Sequence, residues 1–150
     1  MKIHDCMSSH VHLASPTDTI QSAAKTMASI DAGAVPVGEN GRLVGIITDR
    51  DIAVRAVAAG RGPDCKVADV MSHDVKYCYE DEDSEHVLAN MGDIQVRRLP
   101  VLNREKRLVG IVSLGDLAKT GEGDKAGMAL GDISRPGGSH SQSDRNSVVE

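Results

Sequence analysis

The chain has 150 residues, is 40% hydrophobic and 26% charged, and is long enough for one compact domain or two small ones sharing a core. Phe and Trp are absent, Tyr occurs only at positions 77 and 79, and the formal net charge is -5. So few stacking faces, without an excess of Lys and Arg, argue against nucleic acid as a partner. The core must be built from Val, Ile, Leu, Met and Ala.

Cys6, Cys65 and Cys78 are far apart and lack C-x-x-C spacing, which fits neither a disulfide framework nor a zinc site. No run approaches the ~18 apolar residues of a membrane span, and the first residues lack the apolar stretch of a signal peptide. A cytoplasmic protein with reduced thiols is expected.

In chain order, Ile3-His4-Asp5-Cys6-Met7 opens the sequence and Val67-Ala68-Asp69-Val70-Met71 repeats it 64 residues later. Val11-His12-Leu13 reads as a short strand ended by Ser15-Pro16. Asp18-Thr19-Ile20-Gln21 reads as a helix start, with Asp18 as the capping acid, and Ile20, Ala23, Ala24 and Met27 form one apolar face. Ala34-Val35-Pro36-Val37 predicts a strand kept from a fully central place by Pro36, which cannot donate to a ladder. Asn40-Gly41 predicts a hairpin turn into Leu43 to Ile47. A second helix is expected from about Asp49 to Ala59, stopped at Gly60.

The second half mirrors the first. Val75-Lys76-Tyr77-Cys78 predicts a strand, and Val87, Leu88 and Met91 line a helix. Leu99-Pro100-Val101 and Leu108 to Val112 predict a hairpin, with a helix from about Leu114. Pro36 and Pro100 keep the 64-residue offset, whereas Asp51 and Asp116 are 65 apart. The one extra residue falls in the hairpin turn, where a duplicated fold tolerates it. Three regions follow: repeat one over 1–62, repeat two over 63–119 and a flexible tail over 120–150, rich in Gly, Ser and Asp. Within that tail, Met128 to Ile133 has the makings of one docked turn.

The duplication is sharpest in Gly41-Arg42-Leu43-Val44-Gly45-Ile46-Ile47-Thr48-Asp49-Arg50-Asp51-Ile52. It returns as Lys106-Arg107-Leu108-Val109-Gly110-Ile111-Val112-Ser113-Leu114-Gly115-Asp116-Leu117. Each copy is an apolar strand, a hydroxyl residue, an acid three positions on, and a helix. A hydroxyl and a carboxylate at such a junction suit a sugar-phosphate ligand. They also suit a plain capping box, and the two readings are compatible.

These segments, with the repeated openers and the Val-Pro-Val and Leu-Pro-Val strands, resemble tandem cystathionine-beta-synthase (CBS) domains forming a Bateman module over residues 1 to 119. The resemblance implies a mixed α/β (α+β) fold of two β-α-β-β-α repeats about a pseudo-twofold axis, commonly a homodimer. It also implies non-catalytic sensing of adenosine-containing ligands (AMP, ADP, ATP, NAD or S-adenosylmethionine) in clefts between the repeats, reported to an effector protein. On this reading Thr48 and Ser113 donate to phosphate at a helix start, where free N–H groups favour an anion. Asp51 and Asp116 accept from ribose hydroxyls, and Arg50 supplies charge that Gly115 does not. Arg97 and Arg98 are candidates for phosphate, with a solvated edge or a dimer contact as the alternative. Val11, Leu13, Val35, Pro36, Tyr77, Leu99 and Pro100 are placed around the adenine, several through their main chain.

Other clusters read more plainly. Glu80-Asp81-Glu82-Asp83 with Glu85 is a solvated helix start. His4, Cys6, His10 and His12 match no familiar metal spacing, so no metal is assigned. No Ser-His-Asp or Cys-His set and no phosphate-loop motif occurs, so no catalysis is expected. The alternative to a ligand sensor is a ligand-independent, redox-responsive dimeric scaffold using Cys6 and Cys65.

Overall fold

The computed structural model describes residues 1–119 and 123–134. It is a mixture of helices and strands that divides into two compact units. Unit 2 holds His12–Val75 with Lys106–Leu108, and unit 1 holds Met1–Val11, Lys76–Glu105 and the described residues from Val109 on. The compact units are therefore displaced from the sequence repeats by one opener.

In unit 2, α2 (Ile20–Ile30) starts at Thr19, whose side chain accepts from the Ser22 N–H. The cap is thus Thr19 and not Asp18, whose carboxylate instead accepts from the Ser15 N–H at 2.8 Å. β1 (Ala34–Glu39) and β2 (Arg42–Thr48) form an antiparallel hairpin. Its turn residues Asn40 and Gly41 both have positive φ, 55° and 78°, the backbone that an Asn-Gly hairpin turn requires. No strand forms over Val11–Leu13; only Ala14 bridges, parallel to Val37. That bridge uses the Pro36 carbonyl and the Gly38 N–H. Pro36 therefore lies between two neighbours without needing the donor it lacks.

Beyond β2, α3 (Asp49–Asp51) runs into a π-helical segment, Ile52–Val57, where an ordinary α-helix is expected from sequence. Gly60, with φ of 80°, ends it. The second opener forms α4 (Val67–Val70), and Ile46 exchanges both backbone hydrogen bonds with Ser72. Ile20, Val35, Ile47, Val67 and Val70 lie in the unit 2 core.

Unit 1 repeats the plan. The first opener forms α1 (Ile3–Cys6), and Ser8 exchanges backbone bonds with Ile111. β3 (Cys78–Tyr79), β4 (Arg98–Leu102) and β5 (Leu108–Ser113) form a sheet in that order, β3 parallel to β4. The strand expected over Val75–Cys78 is shorter and starts at Cys78. α5 (Ser84–Ile94) and α6 (Leu114–Ala118) cover the sheet, with Leu88, Met91, Leu99 and Leu117 in the core.

The region read as a tail departs from that expectation. Residues Gly123–Ile133 form a helix, α7, which packs on α5 and buries Ala126 and Ala129. Gly92 permits the close approach: a Cβ there would lie 3.3 Å from the Ala129 Cα. The Gln95 side chain donates to the Asp132 carbonyl at 2.7 Å. The rest of the expected tail, 120–122 and 135–150, lies outside the described residues.

Candidate functional site

Each unit ends its last strand in a corner made by a hydroxyl and an acid. In unit 2 the Thr48 Oγ1 accepts from the Asp51 N–H at 3.0 Å, and Asp51 Oδ2 accepts from the Thr48 N–H at 3.0 Å. In unit 1 Ser113 and Asp116 make the same reciprocal pair at 3.0 Å and 3.0 Å. Both are full capping boxes, which fixes each carboxylate and leaves its second oxygen outside the cap. The hydroxyl oxygen is used as an acceptor, so its hydrogen can still donate. The helices that follow are short, and the acid's N–H is spent on the cap. In unit 2 the Asp49, Arg50 and Asp51 N–H groups are all bonded within the protein, so side chains are the donors nearest to hand there.

The two corners differ in what surrounds the cap. In unit 2 the Asp49 N–H donates to the Gly33 carbonyl at 2.9 Å. A side chain at Gly33 would begin 3.0 Å from the Asp49 carboxylate. Asp49 Oδ1 accepts from the Arg50 N–H at 2.8 Å. Arg55 approaches Asp51 Oδ1 at 3.7 Å and donates to the Val70 carbonyl at 3.5 Å. In unit 1 the same backbone link runs from the Leu114 N–H to the Arg97 carbonyl, 2.8 Å. Arg97 and Arg98 are exposed there, and Gly115 follows Leu114.

The residues expected around an adenine sort into two kinds. Val35, Pro36, Leu99 and Pro100 are buried in the strands, so they can meet a ligand only through main chain or at a strand surface. Val11 is half-buried, while Leu13 and Tyr77 are 46% and 36% exposed. Leu13 and Tyr77 hold equivalent places. Parallel pairing of Ala14 with Val37, and of Cys78 with Val101, aligns Leu13 with Pro36 and Tyr77 with Pro100. Each then lies three residues along the strand from the main-chain link at Gly33 or Arg97, a span of roughly 10 Å.

Sequence reading missed what supports these residues. Tyr77 stacks edge-on against Tyr79, ring centres 5.6 Å apart at 88°. Arg104 lies 4.1 Å over the Tyr79 ring and holds Asp81 through Nε at 2.8 Å and Nη2 at 2.7 Å. The hydrogen bond with Tyr77, then burial, raises the Tyr79 phenol above its ordinary pKa. The Arg104 hydrogen bond holds the Asp81 carboxyl below its usual range. Leu13 instead rests on Gly38, where a Cβ would lie 3.1 Å from its methyl. Arg55 was legible as a cation four residues after Asp51 on a helix. The Arg104–Asp81 pair, 23 residues apart, carried no local signal.

None of the three cysteines is in a disulfide. Burial, then Glu82 and Cys6, pushes the Cys78 thiol up to about 12. Cys65 accepts from Arg61 Nη1 at 3.6 Å, and Cys6 Sγ faces the Ile3 carbonyl at 3.5 Å. Among the described residues no three His, Cys, Asp or Glu side chains are grouped to hold a metal. None of the described helices is long and apolar enough to cross a membrane.

The CBS domain family matches twice, over residues 3–57 and 67–123. The CBS domain-containing protein YhcV of Bacillus subtilis is 42% identical over 133 residues, 88% of this chain and 94% of that protein. The crystal structure of Hypoxic Response Protein I with two coordinated zinc ions superposes with a TM-score of 0.72 at 34% identity, covering 79% of this chain and 98% of that one. The CBS domain pair of protein MJ0100, solved in complex with 5′-methylthioadenosine and S-adenosyl-L-methionine, gives 0.70 at 30% identity, covering 83% and 98%. Two matches in register with the two halves of the fold decide the assignment: the chain belongs to the CBS-domain family, as a tandem pair of the regulatory kind.

Proposed function

We propose that this pair is a sensor that binds adenosine-containing ligands at its strand-to-helix corners and passes their presence to an effector protein, acting as a homodimer without catalysis. One observation carries the reading: the same arrangement occurs twice. An exposed apolar residue, Leu13 or Tyr77, is aligned along the strand some 10 Å from the corner, where the cap leaves a hydroxyl hydrogen and one carboxylate oxygen outside it. That is the distance from a base to its sugar-phosphate end. A carboxylate accepting from the two hydroxyls of a ribose is the recognition that dinucleotide folds also use. The MJ0100 complex with two adenosine compounds supports the ligand class.

In this reading Thr48, Ser113, Asp51 and Asp116 hold the ribose and its 5′ substituent, with Arg50, Arg97 and Arg98 supplying charge. Val11, Leu13, Val35, Pro36, Tyr77, Leu99 and Pro100 border the base. A ligand moves the pair between arrangements only as far as it binds them unequally. Calorimetry and thermal unfolding with AMP, ATP, NAD and S-adenosylmethionine test this. A ligand at a hundred times its Kd stabilises by about 2.7 kcal/mol. No heat and no shift with any of the four at millimolar concentration ends the sensor reading. The informative variant is Asp51→Asn, because the amide oxygen can keep the cap while the charge is lost.

A further inference from the structure

We propose that the duplication has divided the ligand chemistry: the unit 1 corner takes a phosphorylated adenosine, and the unit 2 corner takes an adenosine whose 5′ substituent bears no negative charge. This rests on the adenosine reading above and specifies it.

The backbone link is the same in both units, so side chains at matched positions can be compared directly. At the position before the strand, unit 2 has Gly33 and unit 1 has Arg97. At the position it bonds, unit 2 has Asp49 and unit 1 has Leu114. The first strand position changes from Ala34 to Arg98. Unit 2 thus sets Asp49 and Asp51 against Arg50 and Arg55, whereas unit 1, with Gly115 in place of Arg50, sets Asp116 against Arg97 and Arg98, one carboxylate fewer for the same number of arginines.

In unit 2 the space that a side chain at Gly33 would enter is bordered by the Asp49 carboxylate. A phosphate brought to Thr48 meets two acids, Asp49 and Asp51, within a side chain's reach. Of its two arginines, Arg55 faces Asp51 and the Val70 carbonyl, and the Arg50 N–H donates to the Asp49 carboxylate. Phosphate carries nearly two negative charges at neutral pH and is held best by the forked donors of Arg. Like charges at these distances disfavour it. An uncharged thioether or a sulfonium meets no such penalty at Asp49. The position matching Arg55 in repeat two is Thr120, so Asp116 has no arginine four residues on.

Calorimetry of the intact chain with AMP and with 5′-methylthioadenosine distinguishes the corners. AMP should bind once per chain with an affinity that falls with added salt. Arg97→Gly, at an exposed position, should weaken AMP about tenfold or more while methylthioadenosine changes by less than about threefold. Asp49→Leu should bring in a second AMP per chain. Equal weakening of both ligands by Arg97→Gly, or AMP binding abolished by Asp51→Asn and retained in Asp116→Asn, overturns the division. If neither compound nor any other adenosine binds the unsubstituted chain, the sensor reading itself falls and this proposal with it. If both bind but indiscriminately, only the division falls.

Discussion

α2 and α5 are the same helix met twice, eleven residues each, both ended by a residue in the left-handed region, Asp31 or Gln95. They bury different amounts of themselves. α2 turns Ile20, Ala23 and Met27 inward and leaves Ala24 and Ala28 exposed. α5 buries the equivalent Leu88 and Gly92 as well as Val87 and Met91. The difference is α7, which lies on the extra strip. A duplication supplies two equal frames, and an added element then makes them unequal at the level of packing. Residue size at two positions records which frame received the cover: a larger side chain fills the strip at Leu88, and the missing one at Gly92 lets α7 come close.

The largest test of that contrast is Leu88→Ala. Leu88 is 1% exposed, and its truncation should cost about 3 kcal/mol, read by denaturant unfolding. Ala24→Ser at the matching site should stay within about 0.5 kcal/mol. Similar losses at both sites would mean that α7 does not cover α5 in solution.

A smaller effect is expected where the frames agree. Gly45 and Gly110 each face a methionine from an opener. A Cβ would lie 2.7 Å from Met71 Sδ and 2.9 Å from the Ser72 carbonyl at Gly45, and 2.6 Å from Met7 Sδ and 2.7 Å from the Ser8 carbonyl at Gly110. The main-chain carbonyl has no rotamer to swing away, so the opener must shift. Gly45→Ala and Gly110→Ala should each cost about 1–3 kcal/mol. Hydrogen exchange should rise over residues 67–72 in the first variant and over 1–11 in the second. Loosening of the same opener in both would refute this pairing of openers with strands.

The smallest effect concerns acid. Asp81 is held low by the Arg104 hydrogen bond, and Asp83 by the Glu85 backbone N–H and then the amino terminus. A carboxyl whose folded pKa lies below its unfolded value stabilises fully above the ordinary Asp range. That contribution is lost as pH falls through the depressed folded value. Both side chains are exposed, so the loss is slight. Arg104→Ala should flatten the acid limb of stability against pH, and an unchanged limb would show that the pair contributes nothing.

Much of this plan is legible in the chain. The 64-residue offset, the Asn40-Gly41 turn and the hydroxyl-x-x-acid pairs are local signals, and local physics fixes what they form. The π-helical segment at Ile52–Val57 is not legible, because six residues do not distinguish a five-residue hydrogen-bond step from the usual four. α7 was obscured by its glycines, which lower helix propensity until packing on α5 compensates. The signal lay elsewhere, in Leu88 and Gly92 where repeat one has Ala24 and Ala28. At the corners, residue types name the caps, but only the fold brings Asp49 to the Gly33 gap and Arg55 to Asp51.

The placement of the openers bears on how the polypeptide is made. Nearly all of unit 2 is one uninterrupted stretch, so it can close while later residues are still being added. Unit 1 needs Ser8 to meet Ile111, a partner synthesised roughly a hundred residues later, which at ordinary elongation rates means several seconds of waiting. Until then its first strip of Ile3 and Met7 has no seat of its own, and the nascent chain carries that apolar segment past a half that is already shut.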